Sequence, residues 1–243
     1  MQTQVTNLVA GMFFNLLLIL FLVMLYLVFK KSRSEPSIAF SIAIVAFIIG
    51  SLFCALDFYS RAGILSNIVL PGDYMGLIGT LAYLWAPFGI FIAAKFILHG
   101  VQSWKEIVPI AVFVGMLAVS VVYLYTVYEP IIGQELKPSR GTWFGTIVIS
   151  LVLALALVYY AQIYQKAPEV RINILFLISG IVIGIAGLIS TLISSGDPNI
   201  IPMEFNPIFA LTISFGILIA SFAFTKLPLH LTSETEGSFT RPV

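Results

Sequence analysis

Few side chains in this chain are equipped for chemistry. Its 243 residues hold two His, one Cys, 11 acidic and 12 basic residues. His99 and His230 are widely separated and are read as polar groups at one membrane edge, not as a haem or metal pair. Cys54 cannot form an internal disulfide and sits in an apolar segment, where a lone thiol is a small packing group. There is no HExxH, no GxSxG, no Gly-rich phosphate loop and no grouped Cys/His. No catalytic activity, cofactor or metal is therefore expected. The remaining polar set mixes both charges with aromatic rings, a composition that suits a small ligand in a concave site. Asp57, Arg61, Tyr125, Glu129, Arg140, Trp143, Glu204 and Asn206 are the candidate ligand-binding residues. Tyr59, Asp73, Tyr74, Tyr123 and Tyr128 lie beside them. The same types also serve as plain interface anchors and solvated loop charges, so the pocket stands beside that simpler reading.

Those residues can meet only if the elements carrying them place them at one end. Seven apolar stretches fill nearly the whole chain, at 8–29, 37–58, 74–98, 106–127, 142–164, 172–194 and 205–225. A bilayer core of about 30 Å requires about 20 helical residues, and each stretch supplies that length. Hydrophobic residues make up 60% of the chain, charged residues 9%, and the mean hydropathy is +1.06. Soluble domains carry about 25% charged residues, so this chain could not cover a water-facing surface. The fold expected is all-α, an integral membrane seven-helix bundle over 1–229 with a short polar cytoplasmic tail over 230–243. Ser34-Glu35-Pro36 and Ala167-Pro168-Glu169 read as tight turns, Gly196-Asp197-Pro198 as a chain break, and Asp73 as a cap for the third helix.

Orientation follows from the basic residues. With the N-terminus outside, the cytoplasmic segments and helix ends carry Lys30, Lys31, Arg33, Lys95, Lys105, Lys166, Arg171, Lys226 and Arg241. The outer side carries only Arg61, Lys137 and Arg140. This asymmetry predicts an outer N-terminus and a cytoplasmic C-terminus, and it gathers the candidate ligand residues at the outer end. The residues before the first span carry no positive charge, which favours an uncleaved first helix over a signal peptide.

The membrane interior is poor in ionisable groups. Lys95 lies one turn from the cytoplasmic end of its helix and is expected to snorkel to the interface. Pumps and proton-coupled carriers need carboxylates or bases along their path, and none falls at mid-depth. Asn15, Thr80, Ser120, Ser150, Ser190, Thr191 and Thr212 are the milder polar groups inside the spans. Gly180, Gly184 and Gly187 form a small-residue face on the sixth helix, suited to close approach of another helix. Pro87 should kink the third helix and Pro207 opens the seventh; these are the candidate conformational positions.

Two stretches carry a likeness. Leu84-Trp85-Ala86-Pro87-Phe88-Gly89 runs on to Lys95 and His99-Gly100, a Pro-bearing helix ending in a Gly turn. Met203-Glu204-Phe205-Asn206-Pro207 opens a helix that runs through Gly216 to Leu227-Pro228. Together with the span count and topology, this resembles the N-terminal seven-transmembrane sensor region of membrane histidine kinases. The resemblance implies a module that detects a small ligand or membrane state and relays it to a cytoplasmic partner. It also exposes a departure, because no long helix or kinase domain follows His230. The alternatives are an accessory integral subunit of a larger membrane complex and, behind it, a small-molecule transporter. The partners expected are the lipid bilayer and a cytoplasmic or membrane protein, with a homodimer left open and no nucleic acid. The location expected is the cell membrane.

Overall fold

The structure, a computed structural model, describes residues 2–31, 34–65, 72–100, 105–128, 139–196 and 206–227. Among these residues the chain forms long helices and no strand. They are α1 (Gln2–Lys31), α2 (Glu35–Arg61), α3 (Gly72–His99), α4 (Ile107–Tyr128), α5 (Ser139–Lys166), α6 (Arg171–Gly196) and α7 (Asn206–Thr225). Each coincides with one apolar stretch of the sequence. Five contain segments long and apolar enough to cross a membrane: Gln4–Lys30, Glu35–Arg61, Leu81–His99, Ile147–Lys166 and Pro168–Ser190. Ile107–Val122 and Leu211–Thr225 are shorter apolar segments.

The connections follow from local chemistry. Ser34 has extended backbone ahead of α2, and Pro36 occupies the first turn, where its missing N–H costs nothing. Pro168–Val170 forms a single 3-10 turn leading into α6. Gly100 ends α3 at φ +72°, a left-handed conformation that glycine adopts without penalty. Asp73 lies within the first turn of α3, since the helix already begins at Gly72, so it is not the residue preceding the helix.

Packing closes a ring. α1 packs on α2, α2 on α3, α3 on α5, α5 on α6, α6 on α7, and α7 returns to α1. α4 lies against α3 and α5. The core is rich in large aromatic and aliphatic side chains: Phe14 and Phe21 of α1, Phe40 and Phe47 of α2, Phe91 of α3, Met116 of α4, Tyr160 of α5 and Phe224 of α7. Phe40 and Phe224 stack with ring centroids 4.0 Å apart, joining the start of α2 to the end of α7. Because lipid tails are as apolar as these side chains, helix association must come from close packing and interhelical hydrogen bonds.

Two crossings are close enough to require glycine. A Cβ on Gly180 of α6 would lie 2.6 Å from the Ala220 backbone nitrogen of α7. A Cβ on Gly216 would lie 2.5 Å from the Gly180 carbonyl oxygen. The small-residue face read from the sequence thus receives α7 backbone against backbone. Gly184, on the same face, has more room: its Cβ would meet only the tip of Ile217, at 3.6 Å. Between α2 and α3, Gly89 abuts the Ala43 nitrogen in the same manner, at 2.5 Å.

Candidate functional site

The α2–α3 contact carries polar groups as well as small ones. Gly50, Cys54, Asp57 and Arg61 recur at the spacing of one helix face and climb α2 to its end. Opposite them, Gly79, Tyr83 and Pro87 recur every four residues on α3. Gly50 leaves the space in which the Tyr83 ring lies; a Cβ there would fall 2.7 Å from that ring. The Tyr83 hydroxyl shares a hydrogen bond with Ser51 Oγ at 3.0 Å and another with the Ser214 side chain of α7. Ser51 and Ser214 are buried, so three helices meet at one hydroxyl cluster. Phe47 packs edge-on against the same ring.

Pro87 ties this cluster to the backbone of α3. It is buried and has no N–H, so the carbonyl of Tyr83, four residues earlier, loses its helical donor. The residue whose side chain bridges α2 and α7 is therefore also the one whose main chain is released by the proline. α1 meets α2 by a similar device. The Tyr59 ring lies over Gly11, and Asn15 donates to the Tyr59 hydroxyl.

At the end of the α2 face, Asp57 is buried and accepts a hydrogen bond from Arg61 Nε at 2.9 Å. Arg61 is exposed. These two predicted ligand residues are thus brought together. Tyr125 lies in α4, Arg140 and Trp143 in α5, and Asn206 and Pro207 in α7, but their side chains are outside the described set. Glu129 and Glu204 lie outside the described residues altogether.

A second polar cluster occupies the other end of α3. Phe91, Lys95 and His99 form a stripe at four-residue spacing, and all three lie against Tyr159 of α5. The Lys95 ammonium is 5.4 Å from the Tyr159 ring centroid and donates to Glu106, just before α4, at 2.5 Å. The expectation that Lys95 snorkels to the interface is corrected here: its side chain is 2% exposed. The stripe faces α5 inside the bundle, and Glu106 supplies a counter-charge that makes burial tolerable. Glu106 itself is exposed, and the hydrogen bond from Lys95 holds its carboxyl below the ordinary value. Next to Tyr159, the buried Tyr160 hydroxyl donates to the Ile90 carbonyl of α3 at 3.4 Å.

Three of the mild polar groups singled out in the sequence have local partners. Ser120, Ser190 and Thr212 each donate to the carbonyl four residues before them. Ser51 and Tyr83 do reach across helices, but an isolated hydroxyl in an apolar helix leaves no mark on the hydropathy pattern. The adjacency of Gly50 to Ser51 and the Tyr83-to-Pro87 spacing were the available signals. Among the described residues, no three His, Cys, Asp or Glu side chains converge as metal ligands would. Comparison with family models, curated proteins and solved structures found no match.

Proposed function

We propose that this chain is a seven-helix membrane sensor that detects a small ligand or a membrane state at its Asp57 end and relays it to a partner at its Lys95 end. One observation carries the reading. α3 holds a hydroxyl cluster near its middle, a polar cluster at its Lys95 end, and a buried proline between them. A helix held near its middle through Tyr83 and at one end through Lys95 has two places where its position can be biased. Pro87 weakens the main-chain ladder between them. A ligand acts by binding one helix arrangement better than another, and the Asp57–Arg61 pair offers both charges for such discrimination. The likeness of the α3 and α7 sequences to kinase sensor regions points the same way. In this reading the bundle spans the membrane seven times, with the basic helix ends in the cytoplasm and the N-terminus outside.

The test is capture of the full chain from native membranes in mild detergent, with mass spectrometry of what stays bound. Repeated recovery of one soluble signalling enzyme or regulator, lost in the Glu106→Gln variant while the bundle stays folded, supports the sensor. Recovery of a fixed set of other integral proteins, unaffected by that variant, replaces it with an accessory-subunit role. Such a set would draw on the broad exposed apolar face of α1, where Val5, Met12, Phe13, Ile19 and Tyr26 point outward.

A further inference from the structure

The helix ends at the Lys95 end share a feature that the sensor reading does not use. Lys30 lies in the last turn of α1, Lys226 follows α7, Arg171 begins α6 and Lys166 ends α5. These four helices are consecutive neighbours, since α1 packs on α7, α7 on α6 and α6 on α5. Asn173 of α6 donates to the Lys226 carbonyl at 3.3 Å, which fixes the ends of α6 and α7 at one level. The four basic residues therefore form a continuous arc along one side of the bundle rim.

Three of the four are held against aromatic rings. Lys30 lies over Tyr26 at 5.9 Å, Lys226 over Phe222 at 5.3 Å, and Arg171 over Tyr164 at 5.4 Å. Arg171 also donates through Nε to the Tyr164 carbonyl, which leaves the rest of its guanidinium facing away from that bond. None of the four forms an ion pair with a described carboxylate, although Glu35 and Glu169 are exposed at the same end. Lys95 differs, being buried and paired with Glu106. Tyr26 is 63% exposed and Phe222 51% exposed, so each cation stands directly above an apolar ring that faces outward from the bundle.

We infer that this arc is a binding belt for anionic phospholipid, taking the headgroup phosphate on Lys30, Lys226, Arg171 and Lys166 and the upper acyl chain on Tyr26 and Phe222. An acidic protein docking end-on would meet the cations without the rings beneath them. A phospholipid, with its charge directly above its hydrocarbon, matches the vertical order of cation and outward aromatic. The inference does not depend on sensing: it holds equally for an accessory subunit.

The test places the full chain in phosphatidylcholine vesicles and compares the association of spin-labelled phosphatidylglycerol with that of spin-labelled phosphatidylcholine. Phosphatidylglycerol is expected to bind more tightly, and the preference to fall with added salt. Each of Lys30→Gln, Lys166→Gln, Arg171→Gln and Lys226→Gln is expected to weaken it by up to about fivefold. Lys226→Arg should keep it, and Arg61→Gln, at the opposite end, should leave it unchanged. Equal binding of the two lipids by the parent chain overturns the inference, as does a preference that survives all four substitutions together. Glycerol phosphate is the soluble arm: if it displaces the labelled lipid at equal concentration, the site reads free phosphate and the lipid assignment falls. Should the fourfold variant not fold, the four single variants decide, since loss in none of them is also fatal.

Discussion

The α6–α7 crossing and the α2–α3 crossing solve the same packing problem with different consequences. In both, glycine lets two helices meet nearly backbone to backbone: Gly180 with Gly216 in the first, Gly89 with Ala43 in the second. The first crossing is made of small residues along its contact, and its adhesion comes from dispersion over a tight fit. The second adds a Tyr83 ring laid into the space left by Gly50, a buried hydroxyl cluster, and Asp57 at its end. Close approach alone makes a rigid pair. Close approach with embedded polar groups makes a pair whose alternatives differ in hydrogen bonding, which is what a ligand or a partner can act on.

The sharpest way to break the contrast is to crowd the small-residue crossing. Gly216→Val is expected to destabilise the bundle by about 3 kcal/mol, because its new side chain must displace the Gly180 carbonyl, which is backbone and cannot rotate away. Thermal unfolding in detergent reads this directly, and an unchanged midpoint would mean that α6 and α7 do not meet as described. Tyr83→Phe tests the other crossing. It removes the bonds to Ser51 and Ser214 while keeping the ring, and should cost about 1 kcal/mol, given that interhelical hydrogen bonds in membranes average about 0.6 kcal/mol each. Ser51→Ala combined with Tyr83→Phe should cost little more than Tyr83→Phe alone in a double-mutant cycle, since the bond that Ser51→Ala deletes is already lost with the Tyr83 hydroxyl.

A smaller effect is expected at the Lys95 end, and it depends on pH. The Glu106 carboxyl is held below its ordinary value of 4.5 by the hydrogen bond from Lys95. A carboxyl lowered on folding contributes stability above its unfolded value and loses it as the pH falls through the lowered one. The parent chain should therefore lose this increment in acid, Glu106→Gln should lack it at neutral pH, and the two unfolding profiles should converge at low pH. Parallel profiles would show that the pair does not form. The smallest effect belongs to Gly184→Ala, expected within about 0.5 kcal/mol of the parent. Its Cβ enters ordinary contact with Ile217, and the gain in helix propensity offsets what strain remains. Gly184 and Gly216 are thus a matched pair: if both substitutions are harmless or both severe, the geometry of the crossing is wrong.

The helices were legible in the sequence because a 20-residue apolar run leaves the backbone no other way to satisfy its polar groups. The turns at Ser34-Glu35-Pro36 and Gly100 were legible for steric reasons. The face of Gly180 and Gly184 was visible as a spacing, but its partner was not, since nothing local distinguishes Gly216 from other glycines in apolar helices. The burial of Lys95 is not legible in the sequence, because distance from a helix end says nothing about which side of the helix faces its neighbours. The ring order, with α4 set against α3 and α5, depends on contacts far apart in sequence, and no one-dimensional pattern encodes it. Of the candidate ligand residues, Asp57 and Arg61 were joined by helical spacing alone. The hydroxyl cluster escaped notice because its members come from three helices and are each unremarkable in their own segment.

The ring closes through α7, and this bears on how the protein is made. α7 follows α1 through α6 in the sequence, so it is the last of the seven helices to be synthesised. Until then the Gly180 face of α6 lacks Gly216, Tyr83 lacks Ser214, and Phe40 lacks Phe224. Three separate contacts are completed by one arriving helix. The ring therefore stays open until α7 has been translated, and a defect in α7 would be felt in α1, α2, α3 and α6 together.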